Sequence, residues 1–180
     1  IRDRYTAMKI DLAEHHEDES VRESADDFAA IMTPIIKSYC SEKGFLNCSD
    51  SLQVLGGSGF TKEYPLEQYM RDARIALIYE GTNGIQALDL MFRKLPLDNG
   101  QAMQRLLSDV NKVIEEMKKD DEDIVLMAEK LEKEVNTLSE ITLWLGSKLL
   151  EGELVDASSG ATPYLKMFGQ VLGGYYMGKA

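Results

Sequence analysis

Apolar residues return every three or four positions along almost the whole chain, and no persuasive run alternates with a period of two. Three-to-four spacing gathers apolar side chains on one face of a helix, whereas a half-buried strand needs strict alternation. The chain is therefore expected to be all-α, a helical bundle followed by a second small helical subdomain. Its first stripe is Ile1, Tyr5, Met8 and Leu12, ended by an acidic patch from Glu14 to Glu19 that reads as a loop. The second is Phe28, Ile31, Met32, Ile35, Ile36 and Tyr39. Thr33-Pro34 lies inside it. Thr suits an N-cap and Pro the first helical position, so a helix is expected to restart there and run to about Leu55.

Residues 56–64 hold three glycines without apolar periodicity and read as a loop. Pro65 then opens a helix with Leu66, Tyr69, Met70, Ala73 and Leu77 on one face, broken by Gly81. Thr82 or Asn83 can cap the next helix, which carries Ile85, Leu88, Phe92 and Leu95 and ends at Pro96. The run Pro-Leu-Asp-Asn-Gly at 96–100 reads as a linker between a segment 1–96 and an extension 101–180. In the extension, Met103, Leu106, Leu107, Val110, Val113, Ile114 and Met117 form one stripe. Ile124, Ala128, Leu131, Val135, Leu138, Thr142, Leu145 and Leu149 form another at heptad positions, a pattern that suits packing. Residues 151–162 read as a loop, and Thr162-Pro163 as the start of a last helix ending near Gly178.

Charge narrows the function. With 31 acidic against 20 basic residues the formal net charge is -11, which argues against nonspecific binding to nucleic acid. Cys40 and Cys48 form no CxxC pair, and with the adjacent His15 and His16 they make no metal-ligand spacing. Such cysteine usage fits a reducing cytoplasm. No apolar stretch is long enough for a membrane span. The start at Ile1-Arg2-Asp3 rather than Met is expected to mark a processing boundary.

One window carries chemistry. Gly56, Gly57 and Gly59 either cap a helix end or let backbone amides approach a ligand; they match neither the P-loop nor the dinucleotide fingerprint. Glu80 follows the apolar segment Ile75-Ala76-Leu77-Ile78-Tyr79 and precedes Gly81. Taken alone it is either an exposed helix-terminal Glu or a desolvated carboxylate suited to general-base work. A helix C-terminus is an unfavourable place for a carboxylate, which weighs towards the second reading. The amides of Thr82, Asn83 and Gly84 either cap the next helix or bind a polar ligand. Arg71, Asp72 and Arg74 read as local ion-pairing residues.

Taken together, Gln53, Gly56-Gly57, Gly59-Phe60, Tyr64-Pro65 with Glu67, Arg71-Asp72-Ala73-Arg74-Ile75 and Ile78-Tyr79-Glu80-Gly81-Thr82 with Ile85-Gln86 resemble the C-terminal helical domain of acyl-CoA dehydrogenases, a similarity running over about residues 1–95. The resemblance implies that Glu80 is the base that removes the α-proton of an acyl-CoA thioester while FAD takes the β-hydride. It implies Tyr79 and Gly81 beside the substrate, and Gln53, Gly56, Gly57, Thr82 and Gly84 near FAD, the first three from a neighbouring subunit. Where the family often has a polar residue this chain has Gly84, so only a backbone contact is expected there. The resemblance further implies a homodimer or higher oligomer, electron-transfer flavoprotein as electron acceptor, and a bacterial cytoplasmic location. Residues 100–180 look like the added helical domain of a bacterial branch that includes 3-methylthiopropanoyl-CoA dehydrogenases. The family's N-terminal helical domain, its β-domain and the first helix of the C-terminal bundle have no counterpart here. The 180-residue chain is therefore expected to be one part of a longer enzyme and inactive alone. A helical interaction module that kept the scaffold without catalysis is the alternative.

Overall fold

A computed structural model of the protein describes residues 2–179, with side chains from Arg4 onward. Among these residues there are seven α-helices and no strand, as the spacing predicts. They are α1 (Arg2–His15), α2 (Glu19–Val54), α3 (Leu66–Ile75), α4 (Asn83–Asp89), α5 (Gln101–Met117), α6 (Glu122–Leu150) and α7 (Leu154–Gly178). Ile1, placed in the first stripe, lies outside the described residues.

The long helix α2 starts where its chemistry dictates. The Asp18 carboxylate accepts the Ser20 amide at 2.9 Å and the Ser20 hydroxyl at 2.8 Å, an N-cap of the usual kind. The expected restart at Thr33-Pro34 does not occur, and α2 runs through Pro34 without a break. Thr33 is not a cap: its hydroxyl donates back to the Ala29 carbonyl at 2.7 Å. Pro34 is buried beside Ile31, Met32 and Ile35, and the burial of that face overrides the cost of an interior proline. A second correction falls on α7. Residues 154–162 are helical rather than loop, and Pro163 lies inside the helix. Pro163 and Ser159 both face solvent, so water can reach the Ser159 carbonyl that the proline leaves without an amide partner.

One cluster of buried residues runs through both halves of the sequence. Ile31, Met32 and Ile35 of α2 join Ala87, Leu90 and Met91, then Leu106, Val110 and Ile114 of α5, Leu131 and Leu138 of α6, and Leu165, Phe168 and Leu172 of α7. The stripes read for α5 and α6 are the faces that pack, and Thr142 joins its stripe by a 2.7 Å hydrogen bond to the buried Tyr164 hydroxyl. α1 departs from its expected stripe: Met8 is exposed and Thr6 is the buried residue. After α4 the chain widens into a π turn at Leu90–Lys94, closed by the Leu95 amide on the Leu90 carbonyl at 2.9 Å. The buried positions there are Ala87, Leu90, Met91 and Leu95, while Ile85 points outward.

α7 closes on α2 so tightly that a Cβ at Gly169 would collide with the Tyr39 ring. An ion pair, Lys166 to Glu42 at 2.7 Å, ties the same two helices. The 96–100 run is a fixed corner: Asp98 and Asn99 take left-handed backbone angles ahead of Gly100. Arg105 of α5 clamps it, pairing with Asp98 at 2.8 Å and with Asp27 of α2.

Candidate active site

Residues 76–82 leave the helical path before α4 begins. α3 stops at Ile75 rather than running on to Leu77, and three turn bonds (Leu77 to Arg74, Ile78 to Ile75 and Tyr79 to Ile75) carry the chain to Glu80. Glu80 stands at φ 53 and Gly81 at φ 82, two consecutive left-handed residues. For a glutamate this backbone is costly, about 1–2 kcal/mol, and survives only where the surroundings impose it. It turns the peptide groups sharply and throws the Glu80 side chain outward, where it is exposed. The expectation of a desolvated carboxylate is thus not met within this chain. The apolar residues before Glu80 face outward with it: Ile78 and Tyr79 are 48% and 51% exposed, and Ile85 follows at 55%.

The surroundings that impose this shape come from two sides. From α4, the Gln86 amide donates to the Glu80 carbonyl at 3.1 Å. From α2, Lys37 Nζ donates to the Gly81 carbonyl at 2.5 Å and to Asn83 Oδ1 at 3.1 Å. Asn83 is the hub. Its Oδ1 also accepts from the Ser41 hydroxyl at 3.2 Å, its Nδ2 donates to the Ser38 carbonyl at 3.2 Å, and its backbone amide donates to the Leu77 carbonyl at 3.2 Å. Partial burial pulls the Lys37 ammonium below the ordinary lysine range, and the Glu80 carboxylate nearby opposes that shift.

Thr82 caps α4 through its side chain, which accepts the Ile85 amide at 3.3 Å. The amides of Asn83 and Ile85 are engaged inside the chain, on the Leu77 carbonyl and the Thr82 side chain. Thr82 and Gly84 are exposed, and Gly81 is half-buried against Gln86. Gln53, Gly56 and Gly57 sit elsewhere, at the far end of α2 and on the 3-10 turn Gly56–Phe60. All three are exposed. Gly56 needs its glycine, at φ 57, but a Cβ on Gly57 would meet nothing within 4 Å. Arg71 pairs with Glu67 at 4.0 Å and Arg74 lies over the Phe45 ring, so both act locally. Among the described residues no group of three His, Cys, Asp or Glu could hold a metal ion, and no helix is long and apolar enough to cross a membrane.

Sequence reasoning missed Lys37, Ser38 and Ser41, and considered Asn83 as a cap or an amide donor but not for its side-chain bonds. One signal was available. Between Asp27 and Glu42, Lys37 is the lone charged residue, set in an apolar stretch that one helix face buries.

Comparison with known proteins places this helical architecture in a family. Residues 6–95 match the profile described as "Acyl-CoA dehydrogenase, C-terminal domain", and residues 106–180 that of "Acetyl-CoA dehydrogenase C-terminal like". The chain belongs to the acyl-CoA dehydrogenase family. It is 44% identical over 85 residues to the broad-specificity linear acyl-CoA dehydrogenase FadE5 of Mycobacterium tuberculosis, covering 47% of this chain and 14% of that one. It is 43% identical over 96 residues to the 3-methylmercaptopropionyl-CoA dehydrogenase of Ruegeria pomeroyi, covering 53% of this chain and 16% of that one. The matched region is thus a small part of these relatives. The crystal structure of Caenorhabditis elegans ACDH-11 in complex with C11-CoA shares the fold, with a TM-score of 0.75 at 19% identity over 97% of this chain and 29% of that one.

Proposed function

We propose that this chain is the base-carrying helical part of a flavin-dependent acyl-CoA dehydrogenase. Its parent enzyme converts an acyl-CoA thioester to a trans-2-enoyl-CoA. Glu80 takes the α-proton through its carboxylate, the α-C–H electron pair forms the new double bond, and the β-hydrogen leaves as hydride. FAD, when bound, supplies the acceptor for that hydride. The observation that carries this reading is the turn itself: a glutamate held at φ 53 by hydrogen bonds from two helices, with its side chain exposed among exposed apolar residues. Backbone strain at an outward-facing carboxylate supports a functional role; Asp98, the other exposed carboxylate in such a backbone, is tied to Arg105 instead. The desolvation that a base of this kind needs is then provided by the rest of the enzyme, which closes over Ile78, Tyr79 and Ile85.

The cofactor assignments follow the same logic. Gln53, Gly56 and Gly57 present open backbone and an exposed amide side chain, and no neighbour within the chain explains Gly57. Such a surface suits close approach of a nucleotide, here FAD bound mainly by a neighbouring subunit of a homodimer or larger oligomer. Thr82 and Gly84 lie exposed beside Glu80 and suit the flavin nucleotide of their own subunit. Tyr79 and Gly81 flank the thioester. Electron-transfer flavoprotein as acceptor, a bacterial cytoplasmic location, and a division at 96–101 into dehydrogenase domain and extension belong to the same reading. The isolated 180-residue chain should be colourless and inactive, and a flavin-yellow, active preparation of it would overturn that part.

The test uses the full-length parent. Glu80→Gln should slow anaerobic flavin reduction by acyl-CoA by roughly 10³-fold or more, within the range general bases contribute. Unimpaired reduction removes Glu80 from the role of base. A parent that never binds FAD would favour the non-catalytic scaffold.

A further inference from the structure

Lys37 makes two long-range hydrogen bonds to the turn that carries Glu80, and no pattern in the local sequence of that turn requires it. We infer that Lys37 of α2 is a positioning residue for Glu80, fixing the direction of its carboxylate by holding the Gly81 carbonyl and the Asn83 side chain from behind. The inference rests on the reading of Glu80 as the base.

The geometry argues as follows. Two successive left-handed residues, Glu80 and Gly81, form a turn that no regular helix or sheet bonding supports. Its two carbonyls are each met by a side chain from outside: Glu80 by Gln86 at 3.1 Å and Gly81 by Lys37 at 2.5 Å. Gln86 belongs to the helix that follows the turn, next to the buried Ala87. Lys37 lies 44 residues earlier, on a helix whose adjacent turn is locked into the core through Ile31, Met32 and Ile35. Of the two anchors, Lys37 is the one that ties the turn to the frame of α2. Ser38 and Ser41 tie the same frame to Asn83, at 3.2 Å each, but they reach the turn only through that side chain. Lys37 touches both Asn83 and the backbone next to the glutamate, and a charged donor makes the stronger bond. Its ammonium is half-buried, and the Glu80 carboxylate nearby favours its charged form.

A residue that aims a base changes the rate of proton removal more than it changes substrate binding. In the flavin-loaded parent, Lys37→Met should lower the limiting rate of anaerobic flavin reduction roughly 100-fold, while the acyl-CoA concentration giving half-maximal rate changes little. Lys37→Arg, which keeps a cationic donor, should recover most of the rate. Amide exchange across residues 77–86 of the holoenzyme should speed up roughly tenfold in Lys37→Met, with the rest of α2 unchanged. Equal rates in Lys37→Met and the parent would overturn the inference. So would unchanged exchange at 77–86, whatever the rates. Exchange that quickens while Glu80→Gln leaves reduction unimpaired would keep Lys37 as the anchor of the turn and remove Glu80 as the base, so the two failures are separable.

Discussion

Ten residues of α7 are buried, from Ala157 to Tyr176, whereas α3 buries none. Both helices are amphipathic in sequence, yet α7 spends its apolar face on α2 and α6 while α3 and the turn after it turn Tyr69, Ile75, Ile78 and Tyr79 towards solvent. The two regions keep their shape by different means. The α5–α7 region is held by area removed from water, which is large and non-directional. The 76–86 region is held by a few directed bonds around a strained turn, which fix orientation but add little net stability. The difference matters because a core tolerates small adjustments shared among many contacts, and a base does not.

Changes in the two regions should therefore separate stability from rate. Phe168→Ala removes a fully buried ring from α7 and should cost about 3–5 kcal/mol in urea unfolding, while flavin reduction in the molecules still folded keeps its rate. A loss below about 1 kcal/mol would mean that α7 is not the core it looks like. Gly81→Ala should do the opposite. A side chain at φ 82 is strained by about 1–2 kcal/mol, and its Cβ would stand 2.9 Å from Gln86 Nε2. Gln86 is flexible enough to withdraw, which spares the fold but forfeits its bond to the Glu80 carbonyl. Flavin reduction should fall at least about tenfold with only that modest shift in the unfolding midpoint; a full rate would show that the turn need not be rigid.

The smallest effect is expected at the N-cap of α2, remote from both regions. The Ser20 hydroxyl and amide hold the Asp18 carboxyl below its ordinary value of 3.8. A depressed value in the folded state means that the unfolded chain takes up the proton first as pH falls. The contribution is then complete above the ordinary carboxylate range and lost as the pH drops through the folded-state value. Asp18→Asn should therefore lower the melting temperature slightly at neutral pH, and the gap from the parent should close as the pH falls below about 4. A gap of constant size would assign the cap to geometry alone.

The contrast also explains what was legible beforehand. The faces of α5 and α6 were readable because burial writes a periodic signal, and Leu106, Val110, Leu131 and Leu138 sit where that signal put them. Pro34 and Pro163 misled because local preference is a weaker term than the packing of a whole face, or than the solvent access that spares Pro163. Glu80 was singled out through the motif around it, and its own surroundings in this chain lack the burial expected of a base. Lys37 stood out only as a lone charge in an apolar stretch, with nothing to show its partners. Its partners lie 44 and 46 residues away, and spacing along one helix carries no trace of a bond to another element.

The unbroken course of α2 through Pro34 has one more consequence. A helix of 36 residues spans about 54 Å along its path, and this one carries both the stretch that meets the core and the stretch that holds Lys37, Ser38 and Ser41. It works as a beam. With α7 bearing directly on Tyr39 at Gly169, the C-terminal extension packs on the same helix that presents Lys37, Ser38 and Ser41 to the turn. The extension, which carries no chemical motif of its own, thus shares one structural member with the turn that holds Glu80.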